Sequence, residues 1–134
     1  METFIIYDHC NEKTFCKELV EGLNSKYSLD HLIKFFDEKA KEYFQKYIEH
    51  EDKIEEYEEI YGEDYFSPYY DMYKFVLEFK LFFEELKGLK DFGYEFEIVD
   101  IKFSEDRYIE LFLDNTKLTK NQLSLISFFS EERF

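Results

Sequence analysis

The stretch from Tyr69 to Leu86 constrains this chain more than any other. Its apolar residues are Tyr69, Tyr70, Met72, Tyr73, Phe75, Val76, Leu77, Phe79, Leu81, Phe82, Phe83 and Leu86. Placed on a helix, they cover most of the cylinder, and a helix that is apolar nearly all round has to be surrounded by other elements. Ser67 and Pro68 suit its N-cap and first helical position, and Gly88 suits its stop. The remaining elements are therefore expected to wrap a buried central helix.

Thr3 to Tyr7 is a short β-prone run and reads as a strand. A helix is expected from Asn11, as N-cap, to about Asn24, with Phe15, Leu19 and Leu23 at four-residue steps. Ser28 can cap the next helix. Its stripe of Leu29, Leu32, Phe36, Ala40, Tyr43, Tyr47, Ile54 and Tyr61 would extend over about 50 Å at ~1.5 Å per residue. That is long for a chain of 134 residues, so a bend or break is expected near His50, Glu51 and Asp52. Gly62 ends this segment.

Tyr94 to Ile98 alternates like a half-buried strand. The phase then slips, so that Val99, Ile101 and Phe103 carry the apolar set past a bulge. A turn at Ser104, Glu105 and Asp106 leads into Tyr108–Leu113 as the second arm of an antiparallel hairpin. Thr119 and Gln122 form a capping box for a last helix with Leu123, Ile126 and Phe129 on one face. The expected fold class is α+β: one helix-rich domain over residues 1–134, in the order β-α-α-α-β-β-α, with a small antiparallel sheet packed on the central helix.

Composition narrows function mainly by exclusion. Acidic residues number 32 against 17 basic, a formal charge of −15. Such a charge disfavours direct contact with nucleic acid or an anionic membrane and speeds encounter with basic partners. AT-rich coding accounts for the abundance of Phe, Tyr and Lys, but it would raise Lys and Glu together and leaves the acidity unexplained. No leader peptide and no membrane span are read, so the expected location is the cytoplasm, or the host cytoplasm if the protein is viral. Cys10 and Cys16 do not make a disulfide framework.

The acids concentrate in one place. Glu49, Glu51, Asp52, Glu55, Glu56, Glu58, Glu59, Glu63 and Asp64 face a single base, Lys53, giving this segment −8 of the −15. On a continuous helix these nine carboxylates would be spaced about one per 2.5 Å, between the charge spacings of duplex and single-stranded nucleic acid. Glu51–Glu55, Asp52–Glu56, Glu55–Glu59 and Glu59–Glu63 would be like-charged pairs four apart, each disfavouring the helix. Tyr57, Tyr61 and Tyr65 lie among them as rigid amphipathic contact residues. A solvated surface accounts for such a face as well as a basic protein partner does. Divalent-cation binding has less support, because the residue order of an EF-hand loop is missing.

No cofactor and no metal site are expected, and no catalytic set is read. His9, Cys10 and Cys16 lack both a four-ligand metal spacing and a base placed to activate a thiol. With 32 acids, chance carboxylate pairs carry no information. Phosphate-cradling, dinucleotide and nucleophile-elbow motifs are absent.

In size, acidity and lack of a catalytic set, the chain resembles phage-encoded blockers of restriction or CRISPR effectors. The resemblance is one of composition, with no motif shared. It implies an inhibitor that mimics nucleic acid and binds the basic surface of a nuclease or another nucleic-acid-handling effector through residues 49 to 65. The alternative is an immunity protein that neutralises a cognate nuclease toxin. An enzyme built on His9 or Cys10, and self-association through the aromatics, are weaker readings.

Overall fold

A computed structural model describes residues 2–7, 13–62, 68–104 and 108–133. The elements are β1 (Glu2–Tyr7), α1 (Lys13–Gly22), α2 (Leu29–Glu51), α3 (Ile54–Tyr61), α4 (Pro68–Asp91), β2 (Glu97–Ser104), β3 (Tyr108–Asp114) and α5 (Lys120–Arg133). The class is α+β, as expected, but four helices rather than three separate the first two strands.

The extra helix arises where the long stripe breaks. Asp52 caps α2, its N–H donating to the carbonyls of Ile48 and His50, and Lys53 leaves helical geometry with φ −114° and ψ 13°. A continuous helix would have stacked Glu51 over Glu55 and Asp52 over Glu56. It would also have held Glu49, Glu51 and Asp52 within a run of aligned peptide dipoles; at a C-terminus such charges are unfavourable, so the break brings these three no help from the helix dipole.

Helices α2 and α4 form an antiparallel hairpin, and their cross-contacts fall in reverse order. Lys87 meets Asp30 at 2.8 Å and Lys80 meets Asp37 at 3.0 Å. The rings of Phe44 and Tyr73 lie 5.1 Å apart, and those of Tyr47 and Tyr70 lie 5.2 Å apart. The core uses Leu32, Phe36 and Ala40 of α2 against Val76, Phe79, Phe82, Phe83 and Leu86 of α4, all buried. Phe36 stacks on Phe79 with centroids 5.1 Å apart. Stacked and tilted ring pairs of this kind add to what their buried area contributes.

The sheet is antiparallel in the order β1-β3-β2. Ile98 and Ile101 of β2, with Ile109, Leu111 and Leu113 of β3, are buried in the same core. The register slips between Ile98 and Asp100, which keeps Ile98 and Ile101 on one face and turns Val99 outward at 44% exposure. The bulge was expected, but not its effect: Val99 does not join the inner set. Cys16 is buried in this core and is disulfide-bonded, contrary to the expectation that the cysteines take no part in a disulfide framework.

Caps account for several element ends. Ser28 Oγ accepts from the His31 N–H at 3.3 Å. Thr119 and Gln122 form the expected reciprocal box, with bonds of 3.0 and 3.1 Å. Gly88 does not stop α4; the helix runs through it to Asp91 and is closed by Gly93, which has φ +104°. There the Tyr94 N–H donates to the Leu89 carbonyl and the Gly93 N–H to the Lys90 carbonyl, each at 3.0 Å. This is the Schellman pattern. The expected caps Asn11 and Ser67, and the turn residues Glu105 and Asp106, lie outside the described residues.

Candidate functional site: the acidic end of the helical hairpin

Burial along the hairpin is uneven. On α2 the buried residues are Leu32, Phe36 and Ala40, then none until His50. On α4 burial begins at Val76. The outer ~15 Å of α2, at ~1.5 Å per residue, is thus a stalk whose aromatics are only partly covered. Phe44, Ile48 and Tyr70 are all exposed along it. Tyr43 and Tyr69 are half-buried, and Lys46 Nζ lies over both rings, at 5.2 and 5.9 Å.

The helix α3 sits at the end of this stalk and buries no residue. Ile54, Tyr57 and Glu58 are half-buried, whereas Glu55, Glu56 and Glu59 are exposed. Ile60 and Tyr61 are 70% and 67% exposed, far beyond what a core stripe allows. The expected stripe is therefore interrupted at Lys53, with Tyr47 on α2 and Ile54 and Tyr61 on α3, and Tyr61 lacks the burial of a core position. Tyr57 turns back onto His50, with ring centroids 4.3 Å apart and planes 19° apart. Tyr61 follows Tyr57 at 6.4 Å.

Of the expected like-charged pairs, one lies within a single described helix. Glu51–Glu55 and Asp52–Glu56 straddle the break, and Glu55–Glu59 stays within α3. Glu63, Asp64 and Tyr65 lie outside the described residues, as do His9 and Cys10. Glu49 accepts a hydrogen bond from Gln45 at 3.2 Å. Glu55 and Glu56 occupy the first turn of α3, where the helix dipole favours negative charge.

Charge compensation differs sharply between stalk base and tip. Asp37 is bridged by Lys41 and Lys80, each at 3.0 Å, and these two ammonium groups hold its carboxyl below the usual range. Glu42 is bridged by Lys39 at 3.2 Å and Lys46 at 3.3 Å. Burial opposes ionisation of Glu42, but the two lysines outweigh it and its pKa is lowered. Among the described residues, no such ion pair forms at Glu55, Glu56, Glu58 or Glu59.

Elsewhere, a shallow depression of about 370 Å³ lies between the end of α4 and the sheet, lined by Lys90, Phe96, Glu97 and Lys117 among others. Both of its lysines are already paired: Lys90 with Glu97 at 2.9 Å, and Lys117 with Glu95 at 3.5 Å. Among the described residues no three metal-ligating side chains cluster, and no helix is long and apolar enough to cross a membrane.

The exposed apolar residues Phe44, Ile48 and Ile60 were not singled out from the sequence as contact residues. They fall beside the expected apolar stripe, so periodicity gave them no role, and their exposure shows only in the fold. Compared with family models, with curated proteins and with solved structures, the chain matches none.

Proposed function

We propose that the end of the hairpin is a docking face for the basic surface of a nucleic-acid-handling protein, with the carboxylates of α3 standing in for phosphates. The observation that carries this reading is the uncompensated set Glu55, Glu56, Glu58 and Glu59, on a molecule whose Asp37 and Glu42 each have two lysines. Four carboxylates on a helix of eight residues are spaced about one per 3 Å, close to the ~3.4 Å of a single strand. Ile60 and Tyr61 add exposed apolar contact area beside them, and Glu49, Glu51 and Asp52 extend the negative field along the stalk. Association governed by such a field is fast and salt-sensitive.

The test is binding to a basic nuclease at low and high salt, with the fourfold variant E55K/E56K/E58K/E59K alongside. Mimicry predicts that the parent protein inhibits and loses affinity steeply with salt, while the variant binds at least ~100-fold more weakly, or ~2.7 kcal/mol. Undiminished inhibition by the variant would remove the reading. An immunity protein for a cognate toxin would use the same face but lean on Ile60 and Tyr61. For it, binding would stay tight at high salt and collapse in I60A/Y61A.

A further inference from the structure

We infer that His50 is the positioning residue that fixes the bearing of the acidic helix, an inference that rests on the proposed role of that helix. An eight-residue helix with no buried side chain is too short to hold its own conformation in water. Lys53 at its N-cap supplies no side-chain hydrogen bond. Its order must come from the junction that joins it to the hairpin.

His50 occupies that junction. It lies in the last turn of α2 and is only 7% exposed, while its neighbours Glu49, Glu51 and Asp52 are exposed. Its carbonyl accepts from the Lys53 N–H at 3.1 Å, making the tight turn that separates the two helices. Its ring faces Tyr57 of α3 in a stack at 4.3 Å and meets Tyr69 of α4 edge-on at 5.8 Å, with planes 78° apart. One residue thus links all three helices where they meet. Flat stacking on one ring and edge contact with another restrict rotation about two directions at once. The tyrosine of α3 that turns inward is the one that lands on this ring, while Glu55, Glu56 and Glu59 stay exposed.

The experiment is ¹⁵N relaxation on the full chain without any ligand, for the parent, His50→Ala and His50→Phe. In the parent, the α3 amides should show order parameters near ~0.85, matching α4. In His50→Ala they should fall below ~0.6 while residues 76–86 stay rigid, and His50→Phe, which keeps a flat ring, should restore them. If His50→Ala does not fold, Tyr57→Leu breaks the same stack from the half-buried side and should loosen α3 equally. Unchanged α3 order in the alanine variant, or no rescue by phenylalanine, would overturn the inference. Because no ligand is present, a loosened α3 alongside a parent that fails to inhibit the nuclease supports the clamp and removes the mimicry reading alone.

Discussion

The two glycines near the end of α4 have opposite physical roles, although either could have served as the helix stop. Gly88 lies in the helix interior, and an added Cβ would meet nothing within 4 Å. Gly93 has φ +104°, and there too space is open, so its constraint is purely conformational. Replacing Gly88 by Ala should stabilise the protein by about 0.5–1 kcal/mol, because a glycine in a helix loses more backbone entropy on folding. Gly93→Ala should destabilise by roughly 1–2 kcal/mol, the cost of forcing an L-residue into left-handed space. Urea denaturation of both variants measures the pair, and like signs would show that the helix ends elsewhere. The regular apolar spacing ends at Leu86, which put the expected stop at Gly88, and the residues beyond it mix polar with apolar and gave no sign of Gly93. The deciding contact is local but lies later in the chain. Leu89 and Tyr94, partly buried against the core, bracket Gly93 in the manner a Schellman cap requires.

At the scale of elements, patterns confined to one segment were legible and those spanning a break were not. The capping box at Thr119, the cap at Ser28 and the three antiparallel strands depend on neighbours within a few residues or on alternation along one strand. Val99 was misplaced because a bulge changes which side chains face the core without changing composition. The α2–α3 boundary was visible only as excess length, and with it went the continuity of the stripe from Tyr47 to Tyr61. The apolar contact between α2 and α4 was legible from their stripes, but the ion pairs across them were not. Asp37, in the middle of α2, faces Lys80 across the hairpin as well as Lys41 on its own helix. Its folded pKa is lowered from 3.8 by Lys41 and then Lys80. A carboxyl depressed on folding contributes stability in full above its unfolded value, and that contribution is lost as the pH falls through the lower folded value. Asp37→Asn should therefore lower the melting temperature at pH 7, with the difference from the parent closing below pH 3.8. A difference that persists once the pH is low enough to protonate Asp37 in both folded and unfolded states would mean that the side chain acts through packing instead.

For the whole molecule, one quantity acts in two directions. A formal charge of −15 on 134 residues opposes compactness through self-repulsion, while cross-hairpin pairs such as Asp30–Lys87 and Asp37–Lys80 favour it. Salt weakens both, and which loss is larger fixes the sign of the response. Exposed pairs contribute little individually. The repulsion, by contrast, sums over every excess acid within a Debye length, ~30 Å at 0.01 M and ~10 Å at 0.1 M. Repulsion should win, and the melting temperature should rise as sodium chloride is added from low ionic strength. Reversing the four free glutamates of α3 adds eight charges to −15 and leaves −7, so that variant should show a shallower rise. Binding to a basic partner should respond the opposite way, weakening over the same range of salt. Opposed salt dependences of folding and binding in one protein, both flattened by the same four substitutions, would tie the two effects to a single negative field at the end of the hairpin. A melting temperature that falls with salt would place the balance with the lysine bridges instead. The uncompensated end would then be too small a part of the electrostatic energy to explain the chain's acidity.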